Sequence, residues 1–294
     1  MRHPTSMKRP QHSGRCVPQA VPLRFSPFFR GKSLAAAVLL LALVLAAPCS
    51  SLAADAPPVA AAADLKFALT ELAEHFTRDT GREIRLSFGS SGNFTTQIEN
   101  GAPFQIFLSA DEQYIFRLAA KNLTQDQGTL YAIGRIVLFA PHGSPLRVDE
   151  AMADLKAAVG DGRIKRFAIA NPEHAPYGRA ARAALQAMGL WSSMETRLVL
   201  GENASQATQF ATSGSCQGGI IPLSLSKAPE VAKLGIFALI PTDRHVGEPL
   251  RQRMVLLNTA GETARAFYQY LQAPHAREIF SRYGFVLPEE DASR

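Results

Sequence analysis

The stretch LSFGSSGNFTTQI, residues 86–98, decides how the rest of the chain reads. Ile84, Leu86 and Phe88 alternate with Glu83, Arg85 and Ser87, the period of a strand with one buried face. Gly89 and Gly92 then bracket two hydroxyls, and Phe94 and Ile98 follow four apart, which is helical spacing. A strand that ends in a Gly-Ser-Ser-Gly loop and restarts as a helix brings unpaired N–H groups and two hydroxyls together, the makings of an anion cradle. Taken alone, the piece also fits an ordinary surface loop, since Gly and Ser are common loop residues.

Working outward, the N-terminus separates from the rest. Arg2, Lys8, Arg9, Arg15, Arg24, Arg30 and Lys32, with no acidic residue among them, precede an apolar run from Leu34 to Ala47 and small residues around Ser51 and Ala53. This is the layout of a secretory signal, assigned to residues 1–53, and its apolar run is short for a bilayer span. Cys49 follows that run, but Pro48 before it argues against a lipid anchor. The full chain has 31 basic and 25 acidic residues; without the seven of the leader, 24 face 25. The basic excess therefore belongs to the leader, and nothing points to nucleic acid. Cys216 is the one thiol left, so no internal disulfide forms, and no Cys or His spacing suits a metal. The remaining length suffices for one large or two medium domains.

Strand-like and helix-like segments alternate along this remainder. Val59–Ala62 precedes an amphipathic helix from Leu65 to about Thr80, with Leu65, Leu69, Leu72 and Phe76 on one face and Gly81 as its stop. Ile106–Ala110, Ala132–Ala140, Phe167–Asn171, Arg197–Asn203 and Gly218–Leu223 read as further strands, and Glu112–Lys121, Gly178–Met188 and a segment from Ser205 as helices. The alternation predicts mixed, mostly parallel sheets with helices on both faces. Four strand-to-helix junctions carry small or polar residues: AAADL (61–65), GSSGN (89–93), NPEHAPYGRA (171–180) and GENASQA (201–207). In open α/β sheets ligands bind beyond the carboxyl ends of strands, where helix N-termini converge. Four such junctions, none with a fitting cationic side chain, suggest a small anion held by dipoles.

The segment FGSSGNFTTQIENGAPFQIFLSADE resembles the part of periplasmic molybdate-binding proteins where a Ser-rich loop, a GAP turn and a SADE strand end occur in that order. YAIGRIVLFAP, ANPEHAPYG, GENASQA and IFSRYGFVLP match later segments of the same family, so the resemblance runs from about Val59 to Pro288. It implies an α/β, two-lobed, type II solute-binding fold with the anion in the hinge cleft. The expected lobes are 54–138 plus 238–294, and 139–237, crossed by strands near Arg135–Phe139 and Phe237–Ile240. The family's oxyanion contacts carry over onto Ala63 and Asp64, onto Ser90 or better Ser91, and onto Tyr177 and Ala204, the last two through backbone N–H. Ala63 brings no hydroxyl where the family often has one, and Pro222 stands where some relatives place a Tyr. Asp64 is expected to turn away from the anion and cap the helix that begins at Leu65.

The resemblance implies capture of molybdate, and of tungstate for its near-identical shape, with delivery to an ABC-type membrane permease. It further implies a periplasmic monomer without catalysis or cofactor, molybdenum being present only as bound molybdate with no direct protein ligand. Binding of another tetrahedral oxyanion, such as phosphate or sulfate, is the alternative. A Cys-dependent hydrolase is more remote. GSCQG (214–218) has the form of a nucleophile elbow, with His174 and Glu173 as imaginable partners, but it follows a helical pattern and leads into a strand, the reverse of the required order. A sugar or amino-acid binder would want aromatic platforms or a carboxylate-fixing Arg in the cleft; Arg179 is the nearest candidate.

Overall fold

The computed structural model describes residues 56–288. The expected leader over residues 1–53 and the Cys49 question lie outside them. The described residues form two five-stranded sheets. The first holds β1 (Pro58–Ala62), β2 (Arg85–Gly89), β3 (Ile106–Ser109), β4 (Thr129–Ile133) and β10 (Arg251–Leu256), in the order β2-β1-β3-β10-β4. The second holds β5 (Ile136–Pro141), β6 (Phe167–Ala170), β7 (Leu198–Gly201), β8 (Gly218–Pro222) and β9 (Gly235–Leu239), in the order β7-β6-β8-β5-β9. Each has a parallel trio, β2-β1-β3 or β7-β6-β8, completed by antiparallel pairings through β10 or β5.

Among the described residues, eight helices of eight residues or more cover the sheets: α1 (Lys66–Thr80), α2 (Ser91–Glu99), α3 (Glu112–Ala120), α4 (Ala153–Gly160), α5 (Pro176–Ala187), α6 (Ala204–Thr212), α7 (Glu262–Tyr270) and α8 (Pro274–Arg282). On α1 the buried stripe is Ala68, Leu69, Leu72 and Phe76, and the helix ends on Gly81 at φ 69°, the left-handed conformation that Gly adopts without a Cβ penalty. Phe76 meets the ring of Phe267 on α7 edge-on at 5.1 Å, and Phe280 on α8 packs against Tyr131 of β4 at 5.2 Å. The C-terminal aromatic residues thus close the first sheet's core.

The apolar run Ala132–Ala140, read as one strand, is two. β4 ends at Ile133 and β5 begins at Ile136, in different sheets. Both halves are buried, so hydrophobic pattern carries no trace of the break; the single signal is Gly134. Its N–H donates to Leu250 O at 2.8 Å, and a Cβ there would lie 2.3 Å from the Tyr177 hydroxyl. By sheet membership, β5 and β9 both belong entirely to the second sheet, so the chain passes between sheets at 134–135 and again beyond Leu239. Two elements escaped the sequence reading, α4 and β10. Strand β10 slots antiparallel between β3 and β4 and carries a fully buried Gln252.

Candidate functional site

The carboxyl ends of strands from both sheets meet at a small, narrow cavity. Ala62, Ala63 and Asp64 reach it from the end of β1, Gly89, Ser90 and Ser91 from β2, Ala110 from β3, Ala175, Pro176 and Tyr177 from the start of α5, and Ala204 from the start of α6. All six residues expected to contact an oxyanion therefore line one cavity: Ala63, Asp64, Ser90, Ser91, Tyr177 and Ala204. Among the described residues, none of those lining it is Lys or Arg. Three helices begin there, and the first N–H groups of a helix lack intrahelical acceptors and carry the positive end of its dipole.

The two serines are used differently. Ser90 is the N-cap of α2: its Oγ accepts from Asn93 N at 3.3 Å and lies 3.0 Å from His174 Nδ1. Ser91 is fully buried, and its Oγ accepts from Ala110 N at 3.0 Å, which leaves its own hydrogen to donate elsewhere. Asn203 caps α6 in the same manner as Ser90, accepting from Gln206 N at 3.1 Å. At α5, Pro176 occupies the first helical turn, where a missing N–H costs nothing.

Asp64 departs from expectation. A short 3-10 turn, Ala63–Leu65, precedes α1, so Asp64 sits inside the helical run and the N-cap position falls on Ala62, which has no side chain to cap with. From inside the turn its carboxylate cannot reach the N–H groups that a capping residue serves. Instead Oδ2 accepts the Tyr177 hydroxyl at 2.9 Å and Gln252 Nε2 at 2.6 Å, while Oδ1 is buried without a hydrogen-bond partner. Burial outweighs these bonds and pushes the carboxyl from 3.8 up to about 6. Behind it, the Tyr131 hydroxyl donates to Gln252 Oε1 at 2.7 Å. Tyr177, expected to matter through its N–H, engages Asp64 through its hydroxyl. The sequence held one clue to this network: Gln252 shares a strand face with Met254, a polar residue on an apolar register.

Further bonds tie the two sheets together around the cavity. Gly92 N donates to His174 O at 3.0 Å, Ser205 Oγ to Ala63 O at 2.8 Å, and Ser224 Oγ to Asp64 O at 2.8 Å. Arg179 on α5 donates to the Tyr114 hydroxyl at 3.0 Å and to Glu248 Oε2 at 2.8 Å, and pairs with Asp111. It is committed to these partners and does not line the cavity. Cys216 is buried in the loop between α6 and β8, and burial pushes its thiol above the usual range.

Two mixed sheets whose strand ends and helix starts converge on one small cavity form the architecture of a receptor for small solutes. The family model for bacterial extracellular solute-binding proteins matches residues 58–286, and the chain belongs to that family. It is 36% identical over 230 residues to the molybdate-binding protein ModA of Rhodobacter capsulatus, covering 77% of this chain and 86% of that protein. Against ModA of Azotobacter vinelandii it is 35% identical over 247 residues, covering 81% and 92%. The fold matches the Azotobacter vinelandii periplasmic molybdate-binding protein with a TM-score of 0.72 at 30% identity, over 79% of this chain and 99% of that one. The sulfate-binding protein SubI from Mycobacterium tuberculosis shares the fold alone, at 17% identity and a TM-score of 0.62, over 81% and 89%.

Proposed function

We propose that this chain captures molybdate in the periplasm, as a monomer, and delivers it to an ABC-type permease. The observation that carries the reading is the cavity itself: strand ends and helix N-termini of both sheets converge on it, and no cation lines it, in a chain 36% identical to a molybdate-binding protein. The ligand contacts are the backbone N–H groups of Ala63, Asp64, Tyr177 and Ala204 and the hydroxyl of Ser91, with Ser90 holding the loop. A charge-assisted hydrogen bond contributes roughly 1.5–3 kcal/mol net, and micromolar binding requires about 8 kcal/mol, so five donors suffice. Fixed donors select by the size and charge of what fits between them, which admits tungstate with molybdate and disfavours the smaller sulfate.

The two sheets act as lobes that hinge at Gly134–Arg135 and beyond Leu239 and close over the anion. No step of bond making is assigned to the site, and no cofactor is needed: the ligand leaves as it arrived, and a buried Cys216 with a raised pKa is a poor nucleophile. Calorimetric titration with molybdate, tungstate, sulfate and phosphate tests the reading. Molybdate and tungstate binding at micromolar Kd or tighter is expected, with sulfate at least a hundredfold weaker. A protein that ignores molybdate refutes it. One observation favours a second reading, a phosphate-type ligand: Asp64, which lines the cavity, keeps one carboxylate oxygen without a partner, to which a ligand that carries its own proton could donate.

A further inference from the structure

Asp64 is the one charged residue among those lining the cavity, and its two oxygens stand in different situations. Oδ2 holds two donors, Tyr177 Oη at 2.9 Å and Gln252 Nε2 at 2.6 Å. The Gln252 amide is itself fixed, since its Oε1 takes the Tyr131 hydroxyl at 2.7 Å. Oδ1 is buried and has no partner, on a residue only 1% exposed. An ionised carboxylate is acceptor only, and an anion brought beside it would repel it. A neutral carboxyl reverses the situation. With Oδ2 already accepting from two fixed donors, the hydrogen belongs on Oδ1, where it needs an acceptor that the protein does not provide and an oxyanion does.

We propose that Asp64 determines specificity at this site: it is protonated whenever a dianion is bound and donates from Oδ1 to a ligand oxygen, so that capture takes up one proton. This rests on the oxyanion reading above. The proton comes from solvent and stays on Oδ1, and no other bond is made or broken. Burial already biases the group this way, and a bound dianion adds to the bias. The groups facing it are Tyr177 from α5, Gln252 from β10 and Tyr131 from β4; both tyrosines are held well above their usual range and stay neutral. Ser224 meets the Asp64 backbone carbonyl. The nearby imidazole, His174, faces Ser90 and Glu202 and serves as the control.

The test is calorimetric titration of the purified protein with sodium molybdate, in buffers of different ionisation enthalpy, between pH 7 and 8. The expected result is uptake of about one proton per molybdate and a Kd that weakens about tenfold per pH unit. In Asp64→Asn the amide presents the same donor without titrating, so binding should be as tight or tighter, flat with pH and without proton uptake. His174→Gln should keep the wild-type slope. Molybdate binding without proton uptake and with a flat profile overturns the inference and leaves the oxyanion reading standing, as does a slope that disappears with His174→Gln. Phosphate bound in preference to molybdate, and lost in Asp64→Asn, overturns the inference and the molybdate assignment while leaving an oxyanion site, whereas binding of neither anion overturns the inference and the oxyanion reading together.

Discussion

The Ser91 hydroxyl accepts the Ala110 N–H and keeps its own hydrogen for a ligand, which separates it from Ser90, already engaged with Asn93 and His174. Ser91→Ala should therefore weaken molybdate binding roughly ten- to hundredfold, the value of one charge-assisted bond, as read by calorimetry. Tyr177→Phe removes one of two donors to a buried carboxylate and should cost on the order of 1–3 kcal/mol of stability in urea unfolding. Asp64 also gives the ligand-free protein a pH dependence of definite sign. Its carboxyl is raised from 3.8 to about 6 in the folded state, so the folded chain holds the proton more tightly than the unfolded one. Stability is then fullest below about pH 4 and falls as pH rises through about 6, by up to about 3 kcal/mol. Asp64→Asn should remove that fall. Carboxylates such as Glu99 and Asp154, held low by arginine partners, act in the opposite sense but are common to both proteins and cancel in the comparison.

Among the elements, α2 ties the two sheets together at its N-terminus. Gly92 lies in its first turn, donates to His174 O, and has no room for a side chain: a Cβ would come within 2.7 Å of that same oxygen. Gly92→Ala should push the start of α2 away from the His174 segment while leaving the helix itself favoured, since Ala is the better helix former. The expected outcome is near-native circular dichroism with molybdate affinity reduced at least tenfold. Unchanged affinity would show that the contact between α2 and the His174 segment has no part in holding the ligand.

For the whole molecule, Arg179 is the strongest single tie around the cavity, holding Asp111, Glu248 and Tyr114 from α5. Its partners are half-buried, so these charge-assisted bonds are worth more than a fully exposed surface pair. If the sheets are hinged lobes, Arg179→Leu should shift the ligand-free protein toward an open form. Small-angle scattering would then show a larger radius of gyration than wild type, which molybdate restores, because binding energy of several kcal/mol can reverse a shift of this size. Identical scattering from both proteins, with and without molybdate, would count against closure.

The Gly-Ser-Ser-Gly loop, the helix starts and the apolar strands were legible in the sequence because they depend on local rules: side-chain period, turn chemistry and the unpaired N–H groups of a first helical turn. The same rules marked the four strand-to-helix junctions on which the six cavity residues stand, and the family resemblance then picked those residues out of them. What they could not give was the break at Gly134, where two buried strands of different sheets run together in one apolar pattern, or the place of β10, whose partners lie more than a hundred residues away. Nor could they orient Asp64. Its position one residue before an apolar helical pattern suits a cap, and only the 3-10 turn, the Tyr177 hydroxyl arriving from α5 and Gln252 arriving from β10 turn it into a buried acceptor. Local sequence determines which groups a junction offers, whereas the fold decides which distant donors reach a side chain, and burial then sets its charge.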